Sequence, residues 1–187
     1  GGGLAVVSVN EGLTVSIYNA TLNGNKLKAN AENASYGANV YIANSTCNFG
    51  ANVVIQNGTR MDGNRNDALG GGVYMTASTL VVDGAGTIIE GNKATNGGGI
   101  YADTGSVLTI YNASISGNDV ESGLGGGIYF NGEKLNVDKG AEIGKSDNGN
   151  KARLGAGVYI ASGNVVVGNI DASGSGEATI GYNIASE

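Results

Sequence analysis

The 187-residue chain contains no proline, no histidine and no tryptophan, and its only cysteine is Cys47. A single cysteine excludes a disulfide framework, and a lone thiol is more often a small buried apolar residue than a reactive group. The absence of proline and of a Gly-X-Y period excludes collagen. Apolar runs stay well below the roughly 18 residues of a membrane-spanning helix, so the sequence predicts no span in this segment.

Charged residues are also scarce, at 14% of the chain, and the formal net charge is −6. The basic residues form no cluster that could follow a phosphate backbone, so nucleic acid is not an expected partner. Apolar residues make up 41% of the chain, whereas disordered chains have few apolar residues and many charges. The chain is therefore expected to fold, although 35 of its residues are glycine.

The glycines recur in segments that lead into an apolar residue and, in most units, a tyrosine. The segments begin at Gly1, Gly37, Gly70, Gly97, Gly125 and Gly155. A second signature ends in Gly-Asn, at Asn25, Asn64, Asn92, Asn118 and, as a looser match, Asn150. Self-similarity at a period of about 30 residues is typical of a repeat architecture. Residues 1–187 are therefore predicted to be one domain of six repeat units.

Each unit contains about three short stretches of alternating apolar residues, rich in Val, Ile, Thr and Tyr, between Gly, Asn, Asp and Ser turns. This pattern predicts short strands rather than helices, because no stretch has a period of 3.6 residues. The regular leucine ladder of a leucine-rich repeat is missing. We therefore predict an all-β fold, a right-handed parallel β-helix of about six coils with three short strands per coil.

Strand alternation assigns sides to the residues that follow each glycine segment. The first apolar residue should face the interior, and these residues form a predicted core stack of Val40, Val73, Ile100, Ile128 and Val158. The next residue should face outward, which gives an exposed aromatic ladder of Tyr41, Tyr74, Tyr101, Tyr129 and Tyr159. The preceding glycine should also face outward and leave a bare surface at Gly72, Gly99, Gly127 and Gly157.

The asparagine that closes each Gly-Asn signature is interpreted as structural. Its amide can bond to neighbouring coils and satisfy backbone groups that the strands do not reach. The predicted asparagine ladder is Asn25, Asn64, Asn92 and Asn118.

Catalytic and metal sites are not expected, and no cofactor is predicted. The best-aligned acidic pair, Asp83 and Asp138, lies two coils apart, roughly 10 Å at best, and the chain has no histidine. The stretch 62–67, DGNRND, begins like a calcium-binding EF-hand loop but lacks its glycine and its closing glutamate. An ice-binding face is not expected, because the threonines do not fall in one repeated register; they are Thr14, Thr46, Thr76, Thr79 and Thr109.

Repeats that read Gly-Gly-small-Ile/Val, followed by a segment that closes on Asn, resemble the polymorphic outer membrane protein repeats of chlamydial surface proteins and of many bacterial and archaeal adhesin-like proteins. The resemblance extends from Gly1 to about Asn183. Where those repeats carry Phe three residues before the Asn, this chain has Leu22, Met61, Ile89 and Ile115. The resemblance implies a right-handed β-helical passenger region, displayed outside a bacterial or archaeal cell and often acting in attachment.

These features lead to the expectation of a non-catalytic, extracellular structural or adhesin-like segment. Its expected partners are a glycan or protein of a host or neighbouring cell, or further copies associating end to end or laterally, since no capping helix is present in the sequence. The alternative is a carbohydrate-binding or carbohydrate-active β-helix, such as a viral tailspike fragment. The tyrosine ladder could bind sugars or protein, or its rings could simply stack on one another.

Overall fold

The computed structural model describes residues 1–9, 12–28, 34–60, 68–168 and 178–185. Within these ranges the chain forms strands and turns without helices, so the all-β prediction is confirmed. The named strands all pair in parallel, which is the arrangement of a β-helix, and the chain makes about five turns. No helix of the described residues is long and apolar enough to cross a membrane.

Three stacks of strands form the faces of the solenoid. Face A contains six strands, Leu4–Val7, Val40–Ala43, Val73–Thr76, Ile100–Ala102, Ile128–Phe130 and Val158–Ile160. Face B contains Leu13–Ile17, Ser45–Phe49, the first parts of Thr79–Glu90 and Val107–Ser116, then Lys134–Val137 and Asn164–Val167. Face C contains Thr21–Asn23, Val54–Gln56, the second parts of the same two long strands, Glu142–Ile143 and Thr179–Ile180.

Short strands also pair between faces C and A. These pairs are Lys26–Leu27 with Thr59–Arg60, Ser35–Tyr36 with Ala68–Leu69, and Lys151–Ala152 with Ile184–Ala185. The prediction of three separate strands per coil is wrong for the third and fourth coils. There, faces B and C share one continuous strand, and the register between the two coils shifts between Asp83 and Thr87. This irregularity bends the strand, so the chain changes face without a break.

The interior is a continuous apolar column. Phe49, Phe130, Met75 and Leu80 are among its fully buried side chains. Cys47 also belongs to this column, and its burial raises the pKa of the thiol to about 11. A thiol that keeps its proton at neutral pH is a poor nucleophile, so Cys47 acts as a small apolar residue, as expected.

The predicted core stack is aligned residue by residue. The register places Val40, Val73, Ile100, Ile128 and Val158 opposite one another in successive strands of face A. The first four are fully buried. Val158 is only half-buried, contrary to the prediction, because its strand is the last of face A among the described residues and pairs there with one neighbour.

Candidate functional site

The outward residues of face A form a column of tyrosines, here called the tyrosine ladder: Tyr41, Tyr74, Tyr101, Tyr129 and Tyr159. Their rings are stacked. Successive ring centroids lie 5.5, 5.5, 4.4 and 5.3 Å apart, with interplanar angles of 4°, 13°, 4° and 23°. The parallel register sets this spacing, because neighbouring strands lie about 4.8 Å apart. Each inner ring therefore covers the faces of its neighbours and leaves its edge outward.

The ladder is less exposed than the sequence predicted. Tyr74 is buried, with 5% of its surface accessible, and the other four tyrosines are half-buried. A sixth ring, Tyr36, accounts for the difference at Tyr74. Its centroid lies 4.6 Å from that of Tyr74 at an interplanar angle of 50°, so it covers the stack from the side. Alternation alone could not predict this ring, since Tyr36 precedes the glycine segment.

Tyr74 is also one end of a chain of hydrogen-bonded side chains along the edge of face A. Its hydroxyl donates to Oδ2 of Asp103 at 2.7 Å. Asn131 Nδ2 donates to Oδ1 of Asp103 at 3.3 Å, and the Ser162 hydroxyl donates to Oδ1 of Asn131 at 2.9 Å. Burial, and then the Asp103 carboxylate, raise the pKa of Tyr74 well above its usual range. The phenol therefore stays protonated and acts as a hydrogen-bond donor.

A second column lies inside the corner between faces C and A. It is here called the asparagine ladder and comprises Asn25, Asn39, Asn92, Asn118, Asn150 and Asn183. Each side-chain Nδ2 donates to the Oδ1 of the next asparagine in that order, over 2.7 to 3.0 Å. The donors all point in one direction along the axis, so each amide polarises the next.

The remaining hydrogen-bonding capacity of these amides is directed at the backbone. Asn118 illustrates the pattern: its Nδ2 also donates to the carbonyl of Ile89 at 3.0 Å, and its Oδ1 accepts from the backbone N–H of Asn92 at 3.1 Å. Asn92 and Asn150 bond in the same way, each to backbone groups of the preceding coil. The ladder thus satisfies buried backbone groups at a corner where strand pairing is interrupted.

The membership of the asparagine ladder differs from the prediction at one level. Asn64 lies outside the described residues, and the second level is occupied by Asn39, which comes from the glycine segment Gly37-Ala38-Asn39. Asn25, Asn92 and Asn118 are in the ladder as predicted, and Asn150 and Asn183 extend it.

The glycines that precede face A lie against the asparagine ladder. Their predicted outward orientation is wrong, since Gly72, Gly99, Gly127 and Gly157 are buried. A Cβ at Gly99 would lie 3.0 Å from Nδ2 of Asn118, and one at Gly157 would lie 2.6 Å from Nδ2 of Asn183. Alternation fails here because the chain turns the corner at this point. Glycine is required because the amide of the ladder occupies the space.

The second coil has the two residue types exchanged. The strand register makes Gly58 equivalent to Asn25 and Asn92, and Asn39 equivalent to Gly72. A Cβ at Gly58 would lie 2.7 Å from Nδ2 of Asn39 and would overlap the carbonyl oxygen of Gly71. The backbone N–H of Gly58 donates to Oδ1 of Asn92 at 2.9 Å. The corner therefore holds one amide side chain per level, supplied from either strand.

Other residues considered from the sequence are not brought together. Among the described residues, no group of three or more Cys, Asp or Glu could hold a metal ion, and the 62–67 stretch lies outside them. The expectation about threonines is wrong in part, because Thr14, Thr46 and Thr79 do share one register on face B. The next residues in that register are Val107 and Lys134, so the run of threonines spans three coils only.

The chain matches no protein-family model, no curated protein and no solved structure.

Proposed function

We propose that this chain is a non-catalytic structural segment of a protein displayed on, or secreted from, a cell, in which it serves as a stalk or as part of an adhesin-like passenger region. The supporting observation is that the asparagine and tyrosine side chains that recur along the chain join one coil to the next. The asparagine ladder bonds coils inside the corner, and the tyrosine ladder stacks them outside. Hydrogen bonds and ring contacts that repeat between successive coils are suited to a stiff spacer.

Carbohydrate binding through the tyrosine ladder is the weaker alternative. Sugar rings pack against the open face of an aromatic side chain, which supplies apolar area and the polarised π surface. The faces of Tyr74, Tyr101 and Tyr129 are covered by neighbouring rings at 4.4 to 5.5 Å. The ring edges of Tyr101 and Tyr129, which are half-exposed, remain for contact with a protein surface, and this favours a protein partner for the face.

The mechanical part of the proposal is tested by pulling residues 1–187 between two marker domains in a single-molecule force experiment. A stalk built by nearest-neighbour contacts should lengthen in steps of about one repeat each, because each coil is held only by its neighbours. Extension in a single step at low force would contradict the proposal.

The location is tested on intact cells that produce the protein. Antibodies raised against residues 1–187 should label unpermeabilised cells or the culture medium, and protease added outside should remove the signal. Labelling that appears only after permeabilisation would contradict surface display and leave the mechanical result unaffected.

A further inference from the structure

We propose that Tyr36 and Tyr74 form a site of oxidative cross-linking, at which a one-electron oxidant of the peroxide class joins the two rings as a dityrosine. This inference concerns the chemistry of one tyrosine pair and does not rest on the proposed stalk function.

The geometry of this pair differs from the rest of the column. The tyrosines of the ladder are stacked within 23° of parallel, whereas Tyr36 and Tyr74 lie 4.6 Å apart at 50°. In a dityrosine the new bond lies in the plane of each ring, between carbons ortho to the hydroxyls. Parallel stacked rings must leave the stack to form that bond. A tilted pair presents an edge, so it is closer to the reactive arrangement.

The hydrogen bond to Asp103 favours the oxidation of Tyr74. A phenol that loses one electron becomes a strong acid, and its proton needs an acceptor. The Tyr74 hydroxyl already donates to Oδ2 of Asp103 at 2.7 Å. The carboxylate is held in place by donors to its other oxygen, from Asn131 Nδ2 at 3.3 Å and from the Thr104 backbone N–H at 2.8 Å. The proton can therefore move along an existing bond.

Tyr36 supplies access to the buried partner. Its accessible fraction is 39%, compared with 5% for Tyr74. An oxidant in solution can therefore remove an electron at Tyr36, and Tyr74 can pass an electron through ring contact. Among the described residues, the exposed ring of the pair is Tyr36 and the ring bonded to a proton acceptor is Tyr74, so the pair combines exposure with an acceptor.

The chemical step balances with one equivalent of peroxide. Each phenol loses one electron to the oxidant and one proton, from Tyr74 to the Asp103 carboxylate and from Tyr36 to water. The two phenoxyl radicals form a carbon–carbon bond between their ortho positions. The hydrogens on those carbons leave as protons, and the two oxygens are reprotonated. Hydrogen peroxide accepts two electrons and two protons and becomes two waters, so the protein loses two hydrogens in total.

The product would join neighbouring coils covalently. Tyr36 precedes the second strand of face A, and Tyr74 lies in the third. A bond between them closes a loop of the chain and lowers the entropy of the unfolded state, as other cross-links do. The expected consequence is a higher melting temperature after oxidation.

The experiment oxidises the purified chain with peroxidase and hydrogen peroxide, and separately with a photo-activated ruthenium complex and persulfate. Mass spectrometry should show a monomer that has lost two hydrogens. Trypsin cleaves after Lys28, Arg60, Arg65 and Lys93, so Tyr36 and Tyr74 lie in separate peptides, 29–60 and 66–93. These two peptides should be recovered as one cross-linked species.

Matched variants assign the bond. Tyr36→Phe should reduce the cross-link about tenfold or more, whereas Tyr41→Phe, in the same tryptic peptide, should leave it. Asp103→Asn should slow its formation, because an amide accepts the hydrogen bond but not the proton. Melting curves before oxidation check that each variant is folded. A cross-link that survives Tyr36→Phe, that joins Tyr101 to Tyr129 instead, or that forms only between chains would overturn the proposal.

Discussion

The asparagine ladder and the tyrosine ladder run side by side through the same coils, yet they hold the coils together in different ways. The asparagine ladder is buried from Asn39 to Asn150, and each of these amides bonds to neighbouring amides and to backbone groups. The tyrosine ladder is mostly half-exposed and depends on ring contact. Loss of a buried amide leaves several buried polar groups unpaired, whereas loss of a half-exposed ring removes ring packing at a position that water already reaches. Because the asparagine ladder is buried, a substitution in it should lower the free energy of unfolding more than one in the tyrosine ladder.

The largest effect is expected from Asn118→Ala. This change removes the donor to the Ile89 carbonyl and the acceptor for Asn92, and it leaves Asn150 Oδ1 without its side-chain donor. Buried unpaired groups cost about 1–3 kcal/mol each, so the free energy of unfolding should fall by about 3–5 kcal/mol in urea denaturation. Asn164→Ala, at an exposed position of face B, is the control and should change it by less than about 0.5 kcal/mol. Equal losses would remove the distinction between buried and exposed amides.

A smaller loss is expected from Gly99→Ala. The new Cβ would lie 2.6 Å from the Gly127 carbonyl oxygen and 3.0 Å from Nδ2 of Asn118. Such overpacking costs about 1–3 kcal/mol. Gly181→Ala is the matched control, since a Cβ there meets no atom closer than 3.6 Å. If Gly99→Ala were as stable as Gly181→Ala, the glycine would not be facing the ladder.

Tyr101→Ala should cost less than Asn118→Ala. The change removes two ring contacts, at 5.5 and 4.4 Å, from a half-exposed position. Aromatic pairs contribute about 0.5–1.5 kcal/mol each, so we expect a loss of about 1–2 kcal/mol by thermal or urea unfolding. Tyr182→Ala, at an exposed tyrosine, should have little effect. A loss at Tyr101 greater than that at Asn118 would reverse the order of the two ladders.

The smallest effect is expected from the ionisation of Tyr74, which changes the free energy of unfolding only at alkaline pH. The pKa of Tyr74 is raised in the folded protein by burial and by Asp103. Above about pH 10 the unfolded chain loses the phenolic proton and the folded chain keeps it, so the free energy of unfolding should fall as the pH rises. Tyr74→Phe should flatten this dependence between pH 9 and 11 or so. An unchanged alkaline slope in that variant would contradict the assignment.

Much of the fold could be predicted from the sequence because it depends on local, repeated patterns. The glycine segments mark where each coil begins, and the alternation after them placed Val40 and Ile128 inside and Tyr101 outside, as the structure has them. Both inferences use neighbours in sequence only. They hold wherever a strand is regular.

The errors arise where the chain turns a corner or where contacts come from another coil. Alternation placed Gly99 outside, but it does not carry through a corner. The Gly-Asn signature also selected Asn64, which lies outside the described residues, and it did not select Asn39, which supplies the amide of the second level. The substitution of Asn for the third glycine in Gly37-Ala38-Asn39 was the available signal. That signal could not be interpreted from the sequence, because Asn39 replaces the usual amide only where Gly58 lies opposite it, and the two residues meet only in the folded chain.

The central claim is that the corner between faces C and A holds one amide side chain per level. A double-mutant cycle on Asn39→Gly and Gly58→Asn tests it most directly, with the free energy of unfolding measured for all four proteins. Asn39→Gly leaves the level without an amide, and Gly58→Asn forces a second side chain against Nδ2 of Asn39. We expect the double variant to lose at least about 1 kcal/mol less than the sum of the single losses. Losses that add to within about 0.5 kcal/mol would contradict it.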